Sequence, residues 1–317
     1  PQRPNGVLQA RRGEIPDGIT DSPCVKVMPR LNFAWDPLGS GSFTVRGGAG
    51  LFYNRVQGNW QYDVLAQPPN MFNAAVNWYD MPDGILSFGG LPSIDPWSRL
   101  GASSIRSIRA RSIEIPRTWS WSLALAKRLP WQQTLEVAYV GNRADHLPNQ
   151  MMSNYVPPGS LTGTYGNADL DNPLHRAALD SSVVASFRTY PAYSNLGLWF
   201  QLEGWSSYNA LQATLSRTAG RRVQYFLNYT FGKALGTTGR DWGLLDPIEP
   251  RLRSYGRMSQ DRTHLFNASY NLLVPDPVRP DGNAVLRGLL NGWQVSGITS
   301  YRSGRPVPVF LSGELAL

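Results

Sequence analysis

The segment TWSWSLALAKRLPWQQTLEVAY, residues 118–139, decides the fold of this 317-residue chain. Up to Lys127, large apolar side chains stand at every second position, with Ser and Ala between them. After a short turn around Arg128–Trp131 the alternation resumes, as Leu135, Val137 and Tyr139 are separated by Glu136 and Ala138. Because a period of two puts successive side chains on opposite faces of a strand, the segment predicts an antiparallel hairpin. One face of that hairpin is apolar and the other carries small or polar residues.

Three further segments repeat this pattern, and together they predict eight strands. The hairpins are expected near residues 29–53, 117–140, 207–231 and 262–301. Short turns join the strands of three hairpins, and a Pro/Gly-rich link joins the strands of the last. The segments between hairpins are much longer, are rich in Gly, Pro, Asn, Ser and Arg, and cover residues 54–116, 141–206 and 232–261. Short turns at one end and long loops at the other are typical of outer-membrane barrels.

The composition excludes several other classes of protein. Gly and Pro together fill 31 + 25 = 56 positions, and no apolar run approaches the ~20 residues that a membrane helix needs. With 42% hydrophobic residues, the chain has ample material to bury and is not expected to be disordered. The formal charge of +8 comes from scattered arginines without a nucleic-acid-binding motif, so no nucleic-acid partner is predicted. Cys24 is the single cysteine, which excludes an intrachain disulfide.

Two all-β architectures fit the alternation, a soluble sandwich and a membrane barrel. Strands of about ten residues match a tilted crossing of the hydrocarbon layer. Loops of about 60 residues are uncommon in compact soluble domains. The polar faces also favour Ser, Thr, Gln, Asn and Ala over the Lys and Glu of a solvated sheet. We therefore predict an antiparallel transmembrane β-barrel with long extracellular loops, while a soluble carbohydrate-binding or hydrolytic β-protein remains the alternative.

The sequence contains no recognisable catalytic or metal-binding motif. His146, His175 and His264 have no zinc-ligand spacing, and no nucleophile elbow or phosphate-binding loop is present. We predict a protein that is not an enzyme, with no catalytic residue, cofactor or metal. The Gly47–Gly50 run lies inside a predicted strand, where a bend or close packing explains it better than phosphate binding.

Candidate ligand- or partner-contacting residues lie in the predicted loops. Aromatic rings there can stack on a sugar or anchor a protein interface, and arginines can bind acidic groups or lipopolysaccharide. A solvated loop, or a loop that packs on itself, is the alternative for each of them. The candidates are Trp60, Tyr62, Trp78, Tyr79, Arg106, Arg109, Arg111, Trp199 and Trp205.

Several stretches of the sequence resemble a known family in more detail than the alternation alone. They are PRLNFAWDPLGSGSFTVRGGAGLFYNR (29–55), PRTWSWSLALAKRLPWQQTLEVAYVGNRADHLP (116–148), SYNALQATLSRTAGRRVQYFLNYTFGKAL (207–235), and DRTHLFNASYNLLVP with LLNGWQVSGITSYRSGRPVPV (within 261–309). In this order they resemble hairpins of TonB-dependent outer-membrane receptors, and most closely the Oar-like branch. The resemblance implies a 22-stranded barrel, a plug domain inside it, and solute uptake powered through TonB.

The chain departs from that family pattern because it shows no recognisable plug or TonB box and too few strands for the whole barrel. The resemblance thus implies that residues 1–317 are an internal section of the barrel of a bacterial outer-membrane transporter for an unidentified solute. Expected partners are outer-membrane lipid and lipopolysaccharide, the TonB system through a plug region outside this chain, and the remaining barrel segment or other chains that cover the sheet edges. The alternative function is a receptor-derived structural subunit of a larger outer-membrane or surface assembly.

Overall fold

A computed structural model shows one large antiparallel sheet. It describes residues 25–55, 105–107, 114–172, 174–175, 179, 181–191, 196–218, 220, 222–237, 244–245 and 248–307. Eight long strands form the main path of the sheet. They are β1 (Arg30–Trp35), β2 (Phe43–Tyr53), β3 (Arg117–Leu129), β4 (Gln133–Met152), β5 (Leu196–Arg217), β6 (Val223–Gly236), β7 (His264–Leu273) and β8 (Gln294–Arg302).

Each long strand pairs with its neighbours in sequence, in the order β1-β2-β3-β4-β5-β6-β7-β8. Every pair is antiparallel, as the sequence predicted for an all-β fold. Three strands of two or three residues extend this sheet: Ile105–Ser107 runs parallel to β5, Leu244–Leu245 parallel to β4, and Gly256–Arg257 antiparallel to β6. Among the described residues, β1 and β8 are the two ends of the path and do not pair with each other.

The central strands are longer than the sequence predicted. β4 continues to Met152, β5 begins at Leu196 and β6 continues to Gly236, so parts of the predicted loops 141–206 and 232–261 are strand. The extension of β4 is irregular, with register shifts against β5 that begin after Ala144. His146 lies in this stretch with φ +56°. Because apolar and polar side chains no longer alternate where the register shifts, the strands predicted from the sequence end too early.

The turn ends of the sheet are short and locally determined. Between β1 and β2, the Asp36 carboxylate accepts hydrogen bonds from the backbone N–H groups of Leu38 (3.2 Å) and Gly41 (2.6 Å). β3 and β4 are joined by a single 3₁₀ turn, Pro130–Gln132, in which Trp131 has φ +60° and is exposed. The β7–β8 link contains helix α3 (Ala284–Leu290), which Asn283 caps by accepting from Val285 N–H and Leu286 N–H.

The loop end of the sheet carries a small folded unit, which we call the outer segment (described residues 153–172, 174–175, 179 and 181–191). It contains the two-residue strands Thr164–Tyr165 and Ala168–Asp169, which pair antiparallel, and helix α1 (Ser181–Ser186). Leu161, Leu170 and Val184 are buried in it. A further short helix, α2 (Pro250–Ser254), precedes β7. Among the described residues, no helix combines the length and the apolar character that a membrane-spanning helix needs.

Candidate functional site: the polar face of the sheet

The register divides the eight strands into two faces of opposite character. Residues paired directly across an antiparallel sheet share a face, so a row of Cα partners such as Leu125–Val137–Ala213–Tyr229–Phe266 extends one face across five strands. We call this the apolar face. Its large apolar and aromatic side chains within β1–β8 include Leu31, Phe33, Trp35, Phe43, Val45, Leu51, Tyr53, Trp119, Trp121, Leu123, Leu125, Leu129, Leu135, Val137, Tyr139, Leu211, Leu215, Val223, Tyr225, Leu227, Tyr229, Phe231, Phe266, Tyr270, Leu272, Val295 and Tyr301.

The apolar face is wide enough to cross the hydrocarbon layer. On β3 the first outward charges at either end are Arg117 and Lys127, ten residues apart. At ~3.3 Å per residue that is ~33 Å along the strand, or about 25 Å of height for a strand tilted by ~40°. Many of its side chains are exposed in the chain alone, including Trp119, Leu123 and Phe231. Exposed apolar side chains on a face of this height require contact with lipid.

The opposite face, which we call the polar face, is lined by small and uncharged residues. Hydrogen bonds between side chains join neighbouring strands along it. Asn228 donates from Nδ2 to Thr214 Oγ1 (2.9 Å), Ser300 Oγ donates to Asn267 Oδ1 (2.9 Å), and Gln294 Nε2 donates to Asn271 Oδ1 (2.7 Å). Uncharged amides and hydroxyls of this kind suit a water-lined lumen, because they hydrate without holding a solute tightly.

The charges on the polar face are mostly positive. Within β1–β8, outside the irregular extension, the charged residues on this face are Arg30, Arg46, Arg128, Arg302 and Glu136. Arg46 Nη2 pairs with Glu136 Oε2 near the turn end, where both line a concavity of about 470 Å³. Four arginines against one glutamate give this wall a formal charge of +3. Anionic groups are therefore favoured along it.

A second concavity, of about 340 Å³, lies on the polar face nearer the loop end. Arg30 lies over the Phe52 ring with 4.9 Å between the guanidinium carbon and the ring centroid, and Asn32, Asn142 and Tyr208 supply further polar groups to the wall. Among the residues that the structure describes, no carboxylate lines it. The sequence analysis did not select these residues as candidates. They could have been found from their positions, because they occupy every second residue of the strands and alternate with the residues of the apolar face.

Glycines make room for this concavity. A Cβ added to Gly48 would lie 2.0 Å from Asn32 Oδ1, and one added to Gly50 would lie 3.2 Å from Arg30 Cγ. The Gly47–Gly50 run thus lets β1 side chains lie flat against β2, in agreement with the close packing that the sequence predicted.

The candidate loop residues are only partly within the described chain. Trp60, Tyr62, Trp78, Tyr79, Arg109 and Arg111 lie outside the described residues. Arg106 is in the short strand paired with β5, and Trp199 is in β5 itself, and only their backbone is described. Trp205 stacks on Tyr255, with 4.4 Å between ring centroids and 23° between planes.

The histidines occupy separate places. His264 Nδ1 lies 2.8 Å from Tyr229 Oη, on the apolar face, so it is an interfacial residue rather than part of the lumenal wall. His146 pairs through Nε2 with Glu114 Oε2 at 3.2 Å, and His175 Nδ1 accepts from Asp169 N–H at 3.2 Å. In the part of the chain that the structure describes, no three His, Cys, Asp or Glu residues are grouped to hold a metal ion.

The sheet and the sequence define the class of protein. A model of the outer membrane beta barrel domain matches residues 1–316. The chain belongs to this family, and it is a β-barrel protein of the bacterial outer membrane. That location, together with the exposed apolar face, removes the soluble β-protein that the sequence left as an alternative.

Three solved structures resemble the fold, at low sequence identity. The outer membrane transporter YddB from Escherichia coli has a TM-score of 0.41 and 7% identity, over 87% of this chain and 33% of its own. The FrpB iron transporter from Neisseria meningitidis has a TM-score of 0.37 and 9% identity, over 79% of this chain and 25% of its own. The siderophore receptor PirA from Pseudomonas aeruginosa has a TM-score of 0.35 and 11% identity, over 78% of this chain and 31% of its own. The chain thus spans a quarter to a third of each. No curated protein sequence matches it.

Proposed function

We propose that the chain is a section of the barrel wall of a TonB-dependent outer-membrane transporter. The observation that carries this proposal is the division of one sheet into a lipid-compatible face and a polar face. The polar face bears uncharged amides and hydroxyls, with arginines and one glutamate at intervals. A wall of this kind surrounds an aqueous path, and the four phrases quoted above resemble the hairpins of TonB-dependent receptors.

In this proposal the wall binds and passes its solute without changing it chemically. The long connections after β2, β4 and β6 lie outside the cell, and the short turns lie in the periplasm. A plug region outside these residues fills the lumen and connects to TonB. The sheet edges at β1 and β8 pair with further barrel strands, because each unpaired backbone group in lipid costs several kcal/mol.

The TonB dependence is tested by nutrient depletion in growing cells. The full-length gene is deleted, restored from a plasmid, or left intact in a strain without TonB, and solutes in the spent medium are compared by mass spectrometry. We expect at least one solute to stay in the medium both when the gene is deleted and when TonB is absent, and to be consumed again after complementation.

Two outcomes would contradict the proposal. Consumption of that solute without TonB would indicate a passive pore. If no solute depends on the gene, the receptor-derived structural subunit becomes the better reading, and the full-length protein should then purify in fixed stoichiometry with other outer-membrane chains.

A further inference from the structure

Cations mark the loop-end border of the apolar face on three of the four central strands, β3, β4 and β6, but not on β5 between them. Toward the loop end, the first charged residue on this face is Arg117 on β3, Arg143 on β4 and Lys233 on β6. Arg257 continues the series, since its Cα pairs with that of Leu235, which shares a face with Ser207 and Arg143. We call these four residues the cationic rim.

The two carboxylates that pair with rim cations, Asp145 and Asp261, are shielded beneath them, whereas Glu114 and Glu203 near the same border are exposed. Asp145 pairs with Arg117 (Nε–Oδ2 3.7 Å) and with Arg143 (Nε–Oδ1 3.3 Å). The Arg143 side chain is 60% exposed, whereas that of Asp145 is 19% exposed. Arg257 pairs in the same way with Asp261, whose side chain is 1% exposed and whose Oδ1 accepts from Ala234 N–H at 2.8 Å. Asp145 and Asp261 therefore hold the guanidinium groups in place, and the exposed charge of these ion pairs is that of the arginines.

Aromatic rings accompany the rim on the same face. Trp205 precedes Ser207 by two residues in β5 and stacks on Tyr255, which is half exposed. Trp119 is also half exposed, and its Cα pairs directly with that of Arg143. Amphipathic rings of this kind prefer the boundary between hydrocarbon and headgroups. The rim therefore lies where a lipid headgroup begins.

We propose that the cationic rim binds the phosphate groups of lipopolysaccharide in the outer leaflet. Two features favour this occupant: the rim is continuous with the lipid-facing band, and its exposed charge is opposite to that of lipid phosphates. Arginine also matches phosphate well, because its planar fork donates two parallel hydrogen bonds. The inference rests on the proposed orientation, in which the loop end faces outward.

The test uses the full-length protein purified in a neutral detergent and titrated with diphosphoryl lipid A. Lys233→Gln removes one exposed cation from the rim. Lys127→Gln is the matched control, because Lys127 is an exposed lysine on the same face at the turn end. Arg143→Gln combined with Lys233→Gln removes two rim cations and leaves Arg117 to pair with Asp145.

Each rim cation near a lipid surface is expected to contribute about fivefold in affinity. Lys233→Gln should therefore weaken diphosphoryl lipid A binding about fivefold and the double variant about 25-fold, while Lys127→Gln changes it by less than about twofold. Dephosphorylated lipid A should bind all four proteins equally weakly.

Three results would overturn the inference: equal losses in the Lys127 and Lys233 variants, no preference for phosphorylated lipid A, or equally tight binding of phosphatidylglycerol. Binding in micelles requires neither TonB nor a solute. A protein that binds lipid A through the rim but fails in the nutrient test would therefore contradict the transport proposal alone.

Discussion

Leu170 and Phe231 are both large apolar residues, but Leu170 is 1% exposed whereas Phe231 is 50% exposed. Leu170 lies in the outer segment, which buries its apolar side chains in a core of its own. Phe231 lies on the apolar face of β6, where it contacts no such core. The two residues follow one physical rule in two solvents: apolar surface leaves water, either into a protein core or into lipid. An exposed large side chain on the apolar face of the sheet therefore marks contact with lipid.

The largest effect in this comparison is expected for the core of the outer segment. Leu170→Ala should destabilise that segment by about 2 to 5 kcal/mol, because it removes a fully buried side chain and leaves a cavity. Hydrogen exchange of residues 161–190 should speed up while exchange in β3 stays unchanged. Leu174→Ala is the control, since Leu174 is in the same segment but exposed, and its effect should stay within about 0.5 kcal/mol. Equal effects of the two substitutions would contradict a separate core.

A charge on the apolar face should have the next largest effect. Leu123 is near the middle of the band between Arg117 and Lys127, so Leu123→Arg should cost about 2 to 4 kcal/mol of folding free energy in lipid. Denaturant titration of the protein refolded into vesicles measures this cost. Leu38→Arg, in the exposed β1–β2 turn, should cost less than about 1 kcal/mol. A tolerated arginine at residue 123 would mean that this face is not in lipid.

A smaller effect is expected at the polar anchor of the outer segment. The buried Asn154 side chain donates to Tyr190 O and accepts from Tyr190 N–H, both at 3.0 Å. Asn154→Ala leaves both backbone groups unpaired and should cost about 1 to 3 kcal/mol, seen as faster proteolysis of the segment. Asn172→Ala, which removes one hydrogen bond to Leu174 N–H, should change the rate far less.

The smallest effect is expected for the ion pair on the polar face. Arg46 and Glu136 are 53% and 37% exposed, so water and salt screen their attraction. A double-mutant cycle with Arg46→Gln and Glu136→Gln should give a coupling of about 0.2 to 1 kcal/mol that declines at high salt. A coupling of several kcal/mol would indicate a wall that is shielded from water.

The sequence predicted the regular part of the sheet because lipid enforces alternation there. The alternation places the aromatic residues Tyr53, Trp119, Tyr139, Tyr229, Phe231 and Tyr301 together on the apolar face. Beyond Arg143 the alternation is lost, since the register of β4 and β5 shifts and Pro148 interrupts the pattern. The strand extensions and the outer segment therefore escaped prediction.

The loop residues predicted to contact a ligand or partner stay a prediction, because loop composition is a weak guide to position. The sequence predicts that Trp205 is an aromatic residue in a loop, yet it is in β5 and stacks on Tyr255. The sequence does not single out Arg30 and Asn32 of the polar concavity as candidate contacts, because a polar residue in an alternating strand is equally typical of a solvated surface. Only the register shows that these side chains share a wall with Asn142 and Tyr208.

The central claim is that one face of the sheet contacts lipid and the other contacts water. Spin labels placed singly at residues 119–126 of β3, in a Cys24→Ser background, test it directly through collisions with oxygen and with a water-soluble nickel complex. We predict oxygen maxima at residues 119, 121, 123 and 125 and nickel maxima at 120, 122, 124 and 126. Equal accessibility along the strand, or the opposite phase, would contradict the claim.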